Sequence, residues 1–74
     1  MIQKEHLVKI ANQTMPFGKY QGRAIIDLPE PYLLWFAKKG LPENELGLLL
    51  SLTLEIKING QESLIRPLKT KNIN

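Results

Sequence analysis

A loop at positions 18–23, with the sequence GKYQGR, brings two glycines, two basic side chains and one aromatic ring together within six residues. Backbone N–H groups between the glycines would form a concavity that binds an anion. Lys19 and Arg23 would contact phosphates and Tyr20 would offer a stacking face, which is how single strands are held without sequence preference. The predicted nucleic-acid-binding residues are Gly18, Lys19, Tyr20, Gly22, Arg23, Lys38 and Lys39, with a solvated turn as the alternative for the loop.

Catalytic chemistry has little support in the residue types. The loop lacks the hydroxyl residue that follows the lysine of a P-loop, and the chain has no cysteine and only one histidine, His6. Two carboxylate pairs, Glu43 with Glu45 and Asp27 with Glu30, stand at predicted helix starts, where acidic residues complement the helix dipole. We therefore predict a protein that is not an enzyme, with no metal and no cofactor.

The elements around the loop are short. Residues 2–12 have apolar side chains at helical spacing, and Thr14–Phe17 and Arg23–Ile26 are predicted strands on either side of the glycine turn. Residues 27–31, DLPEP, form a helix-entry signal before a helix over Tyr32–Lys39. The expectation is an α+β fold in one small domain over 1–74: an N-terminal helix (1–13), a short β-hairpin (14–26), a helical pair (29–59) and a C-terminal segment with a basic tail (61–74), three to four helices in all.

The segment from Leu50 to Ile58 admits two interpretations. Its strict alternation, LSLTLEIKI before Asn59-Gly60, is typical of a strand entering a hairpin turn. The leucine block that precedes it has no breaker, however, and residues 61–63 do not alternate as a return strand. We favour one helix over Glu43–Asn59, in which Gly47 would mark a packing contact because glycine weakens a helix by about 1 kcal/mol relative to alanine.

Two sets of large side chains have open roles. Phe17, Trp35 and Phe36 are expected in the core, because a thin core needs its largest side chains inside. Leucines off the main face of the last predicted helix give that helix more than one apolar side, which suggests a protein partner or a homodimer. The leucines concerned are Leu48, Leu52 and Leu54.

Net charge is concentrated at one end of the chain. The 74 residues have a formal charge of +3, but seven basic and seven acidic side chains cancel within residues 1–63. The excess comes from Arg66, Lys69 and Lys71, which we expect to form a solubilising tail. Charged residues near the start disfavour a signal peptide, and the longest apolar run is far shorter than the ~20 residues of a membrane span. We expect a soluble cytoplasmic protein without a membrane segment.

The order of these motifs resembles a family of small bacterial proteins described as putative quorum-sensing-regulated virulence factors. The matching positions are Pro16 to Tyr20, Gly22, Leu28-Pro29, Tyr32-Leu33, Trp35, Glu55 to Lys57, Asn59-Gly60 and Arg66 to Leu68. The first half is also similar to a small accessory domain of exodeoxyribonuclease X-like exonucleases, and that similarity implies a nucleic-acid role. Gln21 departs from the lysine expected in the loop, and Pro31 from an acidic or polar residue. The family name implies no molecular activity, whereas the resemblance favours the helical interpretation of residues 46–59.

Together these observations predict a non-catalytic binding module for single-stranded nucleic acid or another polyanion. The alternative is a protein-interaction module or homodimeric regulatory protein that uses the leucine-rich last helix.

Overall fold

The computed structural model describes residues 3–69 as a packed set of helices with no β-strand in that range. The α-helices are α1 (Lys4–Asn12), α2 (Glu30–Lys39) and α3 (Glu45–Ile58), and three single-turn 3-10 helices cover Ile25–Asp27, Glu62–Leu64 and Arg66–Leu68. Among residues 3–69, no helix combines the length and the apolar character needed to cross a bilayer.

Helix α3 lies at the centre of the fold and packs against both α1 and α2. Leu49, Leu50, Thr53 and Ile56 are buried along it, and Thr53 donates its hydroxyl hydrogen to the Leu49 carbonyl oxygen at 2.7 Å. Apolar residues occur all around α3, because neighbours cover it on several sides and because Leu48 and Ile58 lie on its exposed face. The helix therefore shows no single apolar stripe in the sequence. The helical interpretation of this segment is confirmed, and the strand alternative is wrong.

The buried core is aliphatic. Each part of the chain contributes to it, including the link between α1 and α2 and the 3-10 turns near the C-terminus. Its apolar members are Ile10, Ala11, Met15, Ile25, Ile26, Leu28, Leu33, Leu49, Leu50, Ile56 and Ile65. No aromatic ring in the part of the chain that the structure describes belongs to this buried set.

The predicted β-hairpin over 14–26, and with it the α+β class, is wrong. The two arms pair at one isolated antiparallel bridge, Thr14 with Ala24, and the second arm then turns into the 3-10 helix Ile25–Asp27. Ile25 and Ile26 are both fully buried. Successive side chains of a strand point to opposite faces, so a strand would expose one of this pair, whereas a 3-10 turn buries both. Pro16 also lacks the N–H that a longer ladder would need.

Helix α3 begins close against the chain that precedes it. Asn44 is the N-cap, and its side-chain oxygen accepts a hydrogen bond from the Gly47 N–H at 3.3 Å. A Cβ atom on Gly47 would overlap the carbonyl oxygen of Pro42. The packing contact expected at Gly47 is therefore present, and it is a backbone contact with the turn that connects α2 to α3.

Asp27 connects the first 3-10 turn to the C-terminal one. Its carboxylate accepts hydrogen bonds from Arg66 Nη1 at 2.9 Å and from Lys69 Nζ at 2.8 Å. The prediction of a free basic tail is thus wrong for these two residues, since both are held in ion pairs. Lys71 lies outside the described residues.

A second ion pair connects α1 to the start of α3. Lys9 Nζ donates to Glu45 Oε2 at 2.8 Å. This hydrogen bond raises the pKa of the Lys9 ammonium and lowers the pKa of the Glu45 carboxyl.

Gly47→Ala should destabilise the protein by roughly 2–3 kcal/mol, because the added methyl group must displace the Pro42 backbone. This destabilisation is opposite in sign to the usual effect of a glycine-to-alanine substitution in a helix, which stabilises by about 1 kcal/mol. Ser51→Ala, at an exposed position of the same helix, should change stability by no more than about 0.5 kcal/mol. Urea unfolding measures the free energy of unfolding of both variants and of wild type. A Gly47→Ala protein as stable as wild type would contradict the close contact between Gly47 and the Pro42 backbone.

Asp27→Asn should lower stability by at most about 1 kcal/mol at neutral pH, since the ion pairs it removes are partly exposed. The hydrogen bond from Lys69, and then that from Arg66, lowers the pKa of the Asp27 carboxyl in the folded state. Its contribution is therefore complete above the unfolded pKa of about 3.9 and is lost as pH falls through the lower folded pKa.

The stability difference between wild type and Asp27→Asn should accordingly be constant from about pH 5 to 8 and shrink below about pH 4. Glu55→Gln, which replaces an exposed carboxylate with no ion pair in residues 3–69, is the control. Thermal unfolding across this pH range measures the stability of both variants. A stability difference between wild type and Asp27→Asn that grows in acid would contradict the lowered pKa of Asp27.

Candidate functional site

Helix α2 presents a stripe of aromatic residues on its surface. Tyr32, Trp35, Phe36 and Lys39 follow one another at intervals of three, one and three, a spacing that puts them on one face of a helix. Leu33, one position after Tyr32, is buried against the core. Helix α2 ends at Gly40, whose N–H donates to the Phe36 carbonyl oxygen.

The glycine loop folds over this stripe. Gly18 and Gly22 have φ values of +81° and +88°, a left-handed conformation that favours glycine. A Cβ on Gly18 would lie 3.4 Å from Tyr32 Oη, so the loop passes close to α2 at this point. Both glycines are thus required by the turn itself.

Hydrogen bonds within the loop use several of its backbone N–H groups. Gln21 donates to the Gly18 carbonyl at 3.1 Å, Gly22 to the Met15 carbonyl at 2.8 Å, and Arg23 to the Tyr20 carbonyl at 3.0 Å. Of the N–H groups expected to form an anion-binding concavity, those of Gln21 and Gly22 are therefore already used within the chain.

All five aromatic residues of the chain belong to one cluster. Tyr20 meets Tyr32 edge-on with centroids 4.8 Å apart, and Tyr32 lies nearly parallel to Trp35, at 19° and 6.2 Å. Phe36 contacts the rings of Tyr32, Trp35 and Phe17 with centroids 5.9, 5.9 and 6.3 Å away. Edge-on and offset arrangements are the favourable ones for aromatic pairs, so each ring helps to fix its neighbours.

The aromatic cluster lines a pocket of about 480 Å³ that is open to solvent. Its lining residues are Phe17, Gly18, Lys19, Tyr32, Trp35, Phe36 and Lys39. Phe17 is 45% exposed and Trp35 is 53% exposed, so the expectation that both are core residues is wrong. Phe36, which was also expected in the core, is partly buried and packs against it.

Basic side chains surround the rings. Lys19 Nζ and Arg23 Cζ lie 5.6 and 5.0 Å from the centroid of Tyr20, and Lys39 Nζ lies 5.9 Å from that of Trp35. Of the nine basic side chains in residues 3–69, four form ion pairs. The other five are Lys4, Lys19, Arg23, Lys38 and Lys39. Four of these five are the basic residues predicted to bind nucleic acid.

The predicted site residues are only partly brought together. Gly18, Lys19 and Lys39 line the pocket, whereas Tyr20 and Arg23 pack beside it. Gly22 supports the turn, and Lys38 is exposed on α2 outside the pocket lining. Sequence reasoning missed the pocket formed by the rings of Phe17, Tyr32, Trp35 and Phe36, and the exposure of Phe17 and Trp35. The spacing of Tyr32, Trp35 and Lys39 indicated one shared helix face but not its exposure.

The leucines predicted to form a dimer surface do not make a continuous exposed stripe. Leu48 is 43% exposed, but Leu52 and Leu54 are partly buried and pack against the core. The homodimer stays a prediction.

No group of three or more His, Asp or Glu side chains within residues 3–69 is arranged to hold a metal ion.

Comparison with known proteins places this fold in a family. The family model described as "Putative quorum-sensing-regulated virulence factor" matches residues 3–68. Two similar proteins, both named "Uncharacterized protein YpeB" and found in Escherichia coli strain K12 and Escherichia coli O157:H7, are each 56% identical over 69 residues. These alignments cover 92% of this chain and 96% of each relative. No solved structure matches the chain, and the resemblance to exodeoxyribonuclease X-like exonucleases is not shown. The chain belongs to the putative quorum-sensing-regulated virulence factor family.

Proposed function

We propose that this protein is a non-catalytic module that binds single-stranded nucleic acid at the pocket between the glycine loop and α2. The observation that supports this proposal most directly is the composition of the pocket. Four aromatic rings line it, together with Gly18 and the two lysines Lys19 and Lys39. Aromatic rings beside basic groups are the combination that holds single strands through base stacking and phosphate contacts.

The exposure of the rings supports a ligand at this place. Phe17 and Trp35 keep about half of their surface in water although the buried core is built without aromatic residues. Contiguous exposed apolar surface edged by polar groups is typical of interaction sites. The rings are also held by one another, so a ligand would meet a surface that is already arranged.

The charges support an anionic ligand. Lys19, Arg23, Lys38 and Lys39 form no ion pair in residues 3–69, while the acidic residues Asp27, Glu45 and Glu62 pair with cations elsewhere. A phosphate backbone would supply the missing negative charge and release its counterions on binding.

A single strand suits the pocket better than a duplex. The bases of a duplex are stacked on each other and present only their edges in the grooves, whereas unpaired bases can be turned toward aromatic side chains.

The second candidate function is a protein-interaction module or homodimer that uses Leu48, Leu52 and Leu54. The observation in its favour is the exposure of Leu48, which leaves 43% of its surface in water. Light scattering at high protein concentration tests the homodimer, and a monomeric mass would remove it.

The proposed function predicts salt-sensitive binding of a labelled single-stranded oligonucleotide that depends on the loop. For single strands, log K falls with log[salt] by about 0.7 per neutralised phosphate. The double variant Lys19→Ala/Arg23→Ala should therefore bind the oligonucleotide more weakly than wild type. The slope of its log K against log[salt] should be smaller in magnitude than that of wild type by up to about 1.4. Fluorescence anisotropy at several salt concentrations measures both quantities.

Lys4→Ala is the matched control, because Lys4 also lacks an ion pair in residues 3–69 but lies in α1, outside the pocket lining. It should leave the slope nearly unchanged. If wild type shows no binding at low salt, or if the double variant binds like wild type, the loop is not a nucleic-acid site.

A further inference from the structure

We propose that the pocket accepts one unpaired nucleobase at a time, recognises it by stacking, and reads neither the hydrogen-bonding edges of the base nor the 2′-hydroxyl of the sugar. This inference rests on the proposed function and specifies its ligand: an unpaired nucleotide of either DNA or RNA, recognised by stacking rather than by its hydrogen-bonding edges.

The geometry of the rings provides the stacking surface. Trp35 has more than half of its surface in water, and Phe17, which belongs to the segment before the loop, contacts Phe36 as Trp35 does. Tyr32 lies nearly parallel to Trp35 on one side of it. Every base has a planar π face, so such a surface binds all bases and favours those that stack more strongly.

The lining residues do not provide the groups that distinguish bases. Arginine, asparagine, glutamine, aspartate and glutamate make directional contacts that read base edges, and none of these residue types lines the pocket. Lysine also contacts guanine, but its ammonium is a flexible point charge without a fixed donor geometry. The polar side-chain groups available are the ammonium groups of Lys19 and Lys39, the hydroxyl of Tyr32 and the indole N–H of Trp35. The pocket thus offers no matched donor and acceptor pair for one particular base.

Lys19 and Lys39 both line the pocket and would contact the phosphates of a bound nucleotide. An ammonium on a flexible four-carbon stem acts as a point charge and does not demand the planar geometry that a guanidinium does. Lys39 Nζ lies over Trp35 at 5.9 Å, and its stem allows the ammonium to move to a phosphate while a base takes the ring face. A volume of about 480 Å³ lies in the lower half of the range of about 300–1,000 Å³ for small-ligand sites. It therefore suits one nucleotide rather than a length of duplex.

The chain contains its own reporter for this site. Trp35 is the only tryptophan in the sequence, so its fluorescence reports directly on the pocket. The experiment titrates wild-type protein at low salt with single-stranded tetranucleotides of deoxyadenosine, deoxythymidine and adenosine. An abasic tetramer with the same phosphates, and polyglutamate of matched charge, are the two comparison ligands.

We expect the tetranucleotides to quench Trp35 and the abasic tetramer to bind about 10- to 100-fold more weakly, since base stacking is lost. Deoxyadenosine should bind a few-fold more tightly than deoxythymidine because purines stack more strongly, and the DNA and RNA adenosine tetramers should agree within about threefold. Polyglutamate should leave the fluorescence of Trp35 almost unchanged.

Variants test the same inference with a labelled oligonucleotide and anisotropy as the readout. Trp35→Ala should weaken binding about 10- to 100-fold, and Trp35→Phe, which keeps a ring, should restore most of the affinity. Leu34→Ala is the matched control, because Leu34 is a neighbouring exposed apolar residue of α2 that does not line the pocket. It should bind like wild type.

The outcomes separate this inference from the proposed function. An abasic tetramer that binds as tightly as the tetranucleotides, or a Trp35→Ala protein of wild-type affinity, overturns the base pocket but leaves polyanion binding in place. Polyglutamate that quenches Trp35 as strongly as DNA overturns it in favour of an acidic peptide. No binding by any tetranucleotide overturns both proposals.

Discussion

The burial of α3 on several sides is the constraint on which the rest of this structure depends. Apolar residues run all around this helix, so one neighbouring element cannot cover it, and α1, α2 and the first 3-10 turn are all used to do so. The close contact between Gly47 and Pro42 sets how the α2–α3 connection meets the helix. A small domain has limited apolar surface to bury, and here the aliphatic side chains are sufficient to fill the core. The aromatic face of α2 is therefore left on the outside.

Ion pairs also help to hold the fold together. Three carboxylates take up four cations at places that hold the fold together, namely Asp27 with Arg66 and Lys69, Glu45 with Lys9, and Glu62 with Lys57. The cations next to the aromatic cluster have no such partner within residues 3–69. Asp27 thus pairs with the two described basic residues of the C-terminal segment, whereas Lys19, Arg23 and Lys39 lie beside the rings without an ion pair in the described residues.

The glycine loop has a structural role beside its proposed binding role. Gly18 and Gly22 adopt left-handed conformations, backbone hydrogen bonds close the turn, and ring contacts join it to α2. The turn places Lys19 at the pocket and Tyr20 against Tyr32. A loop held in this way loses less conformational entropy when a ligand binds than a mobile loop does. Its rigidity therefore favours a ligand site.

Local signals in the sequence determined the helices, whereas the site was decided by tertiary packing. Helix entry and exit depend on nearby residues, and the predicted helix over Tyr32–Lys39 with its stop at Gly40 agrees with the observed α2, which begins two residues earlier. The residues of the predicted hairpin did not by themselves show which structure forms. The choice between strand and 3-10 turn depended on whether the core would bury both Ile25 and Ile26. The basic loop was recognised from composition, but the exposure of Trp35 was not. A stripe of rings at helical spacing looks the same in sequence whether it faces the core or the solvent, and only the filling of the core by other side chains decides between them.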